Sequence, residues 1–177
     1  MDRNKKIQAF EFILFILIQL YEKNKKANDL SILKTMKILF FISSAEVDEK
    51  EDLLHLFNSF YALPYGPVEM DIYESIKKND LNFFQVGNNT TAKNRTSISI
   101  QDFKLLDKDL KKSIIKSIQF INKENPNLLY LKAFDLVEIS HKWFSWNYYF
   151  NLAKSKNQMK MRIPIEIIKE EPKIYHL

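Results

Sequence analysis

The sequence predicts a mainly α fold: a single-domain helical bundle with a small β-hairpin or short β element. Three observations carry this. Apolar residues recur at spacings of three and four in most segments between polar breaks, as a 3.6-residue period requires. Extended signals are confined to short stretches at 60–68, 84–86 and 96–100. The 177 residues include 14 Phe and 8 Tyr but only 2 Gly, which suits one packed core rather than a flexible chain.

Residues 6–22 form the first helix, with Ile7, Phe10, Leu14, Leu17 and Tyr21 on one face and Ile13 and Ile18 widening it. The apolar run 12–18 is bounded by Glu11 and Gln19. A bilayer span takes about 20 apolar residues, so the run is too short. No A-x-A cleavage pattern follows it. The expectation is a buried helix in a cytoplasmic protein without membrane contact. Residues 24–28 are polar and make a loop, after which Asp29 caps the next helix. There Leu30, Leu33, Met36, Lys37 and Phe40 keep helical spacing, while Ile38, Leu39, Phe41 and Ile42 fill most other positions. This helix should be central, ending at Ser43 and Ser44. Glu46, Asp48, Glu49, Glu51 and Asp52 form an acidic loop or the start of a short helix. Leu53, Leu54 and Phe57 then add a small apolar face.

Residues 60–68 read as an extended segment, a turn at Tyr65-Gly66-Pro67, and a helix that Pro67 opens and Lys77 closes. Each proline pushes its predecessor out of the α region, so Leu63 and Gly66 are non-helical. Gly66 reaches φ values closed to other residues. Pro67 suits a first helical position, where its missing N–H costs nothing. Val68, Ile72 and Ile76 continue the apolar stripe, with Glu69 and Asp71 in the first turn.

Segments 84–86 and 96–100 pair as a hairpin across Gly87-Asn88-Asn89. Asp107 caps a helix over 108–123, with Leu110, Ile114, Ile118 and Ile121 on one face, and Asn125-Pro126-Asn127 breaks it. A further helix runs from Leu128 through Leu131, Phe134 and Val137 to Ile139. Trp143, Phe144, Trp146, Tyr148, Tyr149 and Phe150 then continue it or turn a corner. Six aromatics this close cannot all point inward, so at least one is exposed or covered by the tail. Pro164 and Pro172 bracket a terminal helix, and the tail 155–177 packs on the domain.

Composition excludes several chemistries. The chain has no Cys, so disulfides, thiolate metal sites and thiol catalysis are out. Its 3 His (His55, His141 and His176) stand at no ligand spacing, and the acidic cluster lacks the glycine of a calcium loop. With only Gly66 and Gly87, neither a P-loop nor a dinucleotide fingerprint can form. No catalytic residue, cofactor or metal is expected. Asn89-Thr90-Thr91 and Asn94-Arg95-Thr96 match the glycosylation pattern by chance. His141 beside Ser140 is the one base worth weighing, and an enzyme centred on it is one alternative. The structural alternative is a ring whose nitrogens tie a helix end to a neighbour. The net charge of +5 and pI near 9.2 permit weak nucleic-acid binding or an acidic partner. A nucleic-acid-binding regulator, of its own operon for instance, is therefore a second alternative. The lysines are spread along the chain, which reads as solvated faces.

Three stretches together resemble a known family. Phe60-Tyr61-Ala62-Leu63-Pro64-Tyr65-Gly66-Pro67-Val68 is similar to the signature of the Panacea domain of antitoxins and phage-associated proteins. Residues 33–41, with Lys37, resemble that family's early helix, and Ser140-His141 followed by Trp146 resembles its later element. The matches fall in the family's order over about 5–150. Glu69 departs from it, standing where many members carry a second proline. The resemblance implies a type II antitoxin-like protein that neutralises a cognate toxin by direct protein contact. It marks Lys37, Tyr61, Pro64, Tyr65, Gly66, Pro67, Val68, Ser140, His141 and Trp146 as motif positions, mostly structural. Tyr65, Trp143 and Trp146 are the residues we expect at a partner, since Trp and Tyr are enriched at hot spots. Homo-oligomerisation stays open.

Overall fold

A computed structural model describes residues 3–45 and 53–177. The acidic stretch 46–52 lies outside the described residues. The elements, in order, are α1 (Arg3–Lys23), α2 (Ile32–Ser43), α3 (Leu53–Leu56), β1 (Phe60–Leu63), β2 (Gly66–Glu69), α4 (Met70–Lys77), β3 (Phe84–Val86), β4 (Thr91–Lys93), α5 (Lys108–Glu124), α6 (Ala133–His141), α7 (Phe144–Ser155), β5 (Met161–Arg162) and α8 (Ile165–Glu170). The fold is mainly α with a small β element. No described helix is long and apolar enough to cross a membrane.

Helix α2 organises the core because apolar residues occupy every side of it, with Lys34, Thr35 and Lys37 buried among them. Every residue from Lys34 to Ser43 is buried. It packs against α1, α3, α4, α5, α6 and β2. Phe40 meets Trp143 at 4.7 Å and Phe60 at 5.4 Å between ring centroids, both edge-on. A second aromatic group gathers Phe12, Phe15 and Phe83 around Phe103. Such edge-to-face pairs add to area burial because ring quadrupoles match.

Five sequence expectations change. Asp29 does not cap α2; Ser31 does, its hydroxyl accepting from Lys34 N at 3.2 Å. The Asp29 carboxylate is instead taken by the Lys34 ammonium, at 2.7 and 2.9 Å, and by the Tyr21 hydroxyl at 3.0 Å. Pro67 opens no helix. It lies in β2, paired with Ala62, and the turn is Pro64-Tyr65 between the paired Leu63 and Gly66. Proline is tolerated there because it lacks only a ladder donor. Helix α4 starts three residues later. Its cap is the fully buried Glu69, whose carboxylate accepts from Ile72 N at 2.8 Å, Ser59 N at 3.1 Å and the Lys6 ammonium at 2.8 Å. A buried carboxylate requires these partners.

The strand partner of β3 is 91–93, not 96–100. Gly87 N donates to Thr90 O at 2.8 Å, closing a tight turn, and the buried Thr91 hydroxyl donates to Leu30 O at 2.6 Å. The helix from Leu128 is a 3-10 turn (Leu128–Tyr130) followed by α6, and the aromatic segment turns a corner at Lys142–Trp143 into α7. The fifth change is β5, which pairs with β1 and gives a sheet ordered β2-β1-β5. The terminal helix lies between Pro164 and Pro172 as expected. The chain after it covers Trp143: the indole donates to Ile174 O at 2.8 Å and the Tyr175 ring lies 6.0 Å away.

Candidate partner-binding face

The β1–β2 hairpin tip is held by three side chains from three helices, each donating to a different backbone carbonyl. The Lys37 ammonium, from the middle of α2, donates to Pro67 O at 2.6 Å. The Trp146 indole, from α7, donates to Leu63 O at 2.8 Å. The His141 ring, at the end of α6, hydrogen-bonds the Pro64 carbonyl. A carbonyl oxygen has two lone pairs and can take a donor besides any ladder partner, and Lys37, His141 and Trp146 use that capacity.

Gly66 closes the arrangement. Its φ of +94° suits glycine alone, and a Cβ there would collide with the Ser140 hydroxyl and meet Lys37 Cε and Nζ at 3.0 Å. Ser140 is fully buried and donates to Val137 O at 2.8 Å. The His141 ring stacks on Trp146 at 3.7 Å and 8°, and its Nε2 is buried without a hydrogen-bond partner.

The electrostatics follow from burial. Lys37 is fully buried, pairs with no carboxylate among the described residues, and has its pKa pushed down to about 7 by desolvation. His141 is lowered by its own desolvation and then by Lys37 nearby; the Pro64 bond opposes the shift. Both groups are thus biased toward their neutral forms.

The tip presents Tyr65 to solvent. Its side chain is 59% exposed and meets Phe134, 63% exposed, edge-on at 6.1 Å. Sequence periodicity puts Phe134 on an inward face; the structure puts it outside, in the first turn of α6. Beside the pair runs a groove of about 300 Å³ with apolar walls from Leu33, Met36, Leu63, Val68 and Tyr73, and Lys77 as its one charged lining residue.

The expected partner residues part company here. Tyr65 is on this face. Trp143 is fully buried beneath the C-terminal tail, and Trp146 is 6% exposed beneath His141 and the hairpin. Tyr61 is half-buried under the Lys160 ammonium, and Val68 is buried. Of the six clustered aromatics, Phe144 and Tyr148 are the exposed ones. No group of acidic residues and histidines able to hold a metal occurs among the described residues.

Residues 35–147 match the family model described as antitoxin SocA-like, Panacea domain. The chain belongs to this family. Comparison with curated proteins and with solved structures finds no match. The Panacea span runs from α2 to the start of α7, so it contains all three hairpin donors and the hairpin itself. α1, β5, α8 and the tail lie outside it. In this Panacea chain, residues 60–69 form the clamped hairpin. Phe134, Tyr73 and Lys77 belong to no motif weighed from the sequence, whereas Leu33, Met36, Leu63 and Val68 of the groove lie within two of the motif stretches; only the fold brings them together beside Tyr65.

Proposed function

We propose that this Panacea protein neutralises a toxin protein by binding it directly, through the Tyr65 face and without chemistry of its own. One observation carries the reading: three helices converge to immobilise a hairpin whose outward side chain is an aromatic residue beside an exposed Phe and an apolar groove. Rigid aromatic side chains next to concave apolar surface are what binding hot spots are made of, because little conformational entropy remains to be lost. Lys37, Ser140 and His141, which could otherwise act as bases or nucleophiles, are engaged with hairpin or helix carbonyls. That use supports a scaffold role.

The experiment is co-expression with the neighbouring gene. Its product alone should arrest growth, and this chain should restore growth. A harmless neighbour, or arrest that persists with both expressed, contradicts the reading.

A further inference from the structure

The basic excess of this chain is concentrated in one place. Between Ile139 and Ile165 stand Lys142, Lys154, Lys156, Lys160 and Arg162, with no Asp or Glu. The chain has 27 basic and 22 acidic residues, so the remaining 22 basic residues are matched in number, and this one stretch carries the whole formal +5. It spans the corner before α7, α7 itself, the loop after it and the strand β5 that packs beside α7. The spread of lysines seen along the sequence hides this, because most of the other groups have acidic residues close in sequence or space.

The cations are exposed and already oriented. Lys154, Lys156 and Lys160 enter no ion pair among the described residues. The Lys154 ammonium lies 4.4 Å from the Phe150 ring centroid and that of Lys160 5.3 Å from Tyr61, so each charge is held over an aromatic face on an exposed residue. On the outer side of α7, Phe144 and Tyr148 are 57% and 49% exposed and stack with centroids 5.5 Å apart. Asn147 and Asn151, also exposed, are hydrogen-bonded to each other along the same side.

We propose that the α7–β5 face binds single-stranded nucleic acid, the lysines meeting phosphates and the Phe144–Tyr148 stack receiving unpaired bases. An exposed ring pair on α7, followed at the C-terminal end of the helix by cations that lack carboxylate partners, offers the stacking platform and electrostatic track that such strands use. A duplex keeps its base faces covered and would leave the rings idle. An acidic polypeptide would satisfy the lysines but brings no flat π surface for the rings. This face shares no residue with the groove beside Tyr65.

The test is fluorescence anisotropy with the full chain and four probes: labelled (dT)20, (rU)20, a 20-base-pair duplex and a 20-residue poly-Glu peptide. Single strands should bind at 50 mM KCl, with the duplex and the peptide at least tenfold weaker; the two homopolymers distinguish DNA from RNA. Contact with up to five phosphates gives a slope of log K against log salt of about −3.5 at most, since each phosphate contributes about −0.7 on single strands. Phe144→Ala and Tyr148→Ala should each weaken binding by about fivefold or more without changing that slope. Lys154→Gln and Lys156→Gln should each flatten it by about 0.7. All four positions are exposed, and circular dichroism checks that the fold is kept. The proposal is overturned by absent binding at 50 mM KCl, by equal binding of duplex or poly-Glu, or by ring variants that bind like the parent.

Discussion

The Lys37 ammonium donates to the Pro67 carbonyl at 2.6 Å across the α2–β2 contact, fully buried and paired with no carboxylate among the described residues. A buried cation without a counter-ion is costly, and the protein meets this by lowering the lysine's proton affinity. Its pKa of about 7, against 10.5 in the open chain, has a sign that can be worked out. Between those values the unfolded chain holds a proton that the folded chain has released. Stability should therefore rise with pH from about 7 toward 10.5, and this contribution should be constant below about 7. Lys37→Met removes the titrating group and leaves Pro67 O without a donor, which costs about 1–3 kcal/mol. Urea unfolding at pH 7, 8 and 9 checks both effects: the parent should gain on the variant as pH rises, and parallel curves would contradict the account.

Gly66→Ala should be among the most damaging single changes at the hairpin. The positive φ costs an L-residue about 1–2 kcal/mol, and the new methyl meets Ser140 and Lys37, adding about 1–3 kcal/mol of overpacking. A thermal melt should fall by many degrees. A melt within error of the parent would show that the hairpin relaxes freely.

Trp146→Phe keeps a ring against His141 but removes the donor to Leu63 O. The expected loss is about 1–2 kcal/mol, with faster amide exchange confined to β1 and β2. Uniform exchange throughout the chain would place the indole bond outside the clamp.

The exposed pair behaves oppositely. Tyr65→Ala and Phe134→Ala remove surface side chains, so stability should change by no more than about 0.5 kcal/mol. Affinity for the proposed toxin partner should fall by about tenfold or more for each, in the range of hot-spot truncations. Isothermal titration separates the two effects.

Removing residues 171–177 should expose Trp143, whose indole loses Ile174 O and whose ring loses Tyr175. Burial of a large aromatic is worth about 2–3 kcal/mol, so the truncated chain should melt lower and its tryptophan emission should shift to the red. Unchanged emission would mean that Trp143 is shielded by Phe40 and Phe41 of α2 alone.

What the sequence shows of this fold is set by how local each cause is. The long helices are legible because Leu110, Ile114, Ile118 and Ile121 repeat with the helical period and Asp107 stands before them as the actual cap. Central burial of α2 is legible because it has no polar side. Pro67 misleads because proline is equally at ease at a helix start and on a sheet edge, and the choice depends on Ala62, its strand partner. Asp29 and Ser31 compete for one cap, and Lys34 decides it by taking the carboxylate. The two-residue β5 carries no pattern of its own. At the candidate face, Tyr65 and the motif residues stand out in the sequence, whereas Phe134 joins them only through tertiary geometry.

The central claim is direct binding at the Tyr65 face, and the decisive measurement is light scattering on the mixed, purified chain and toxin. We predict a complex of defined mass that forms with the parent and is lost with the Tyr65→Ala, Phe134→Ala double variant, while Lys154→Gln leaves it intact. Growth rescue by the parent with no complex at any concentration, or a complex indifferent to both face substitutions, would contradict the account.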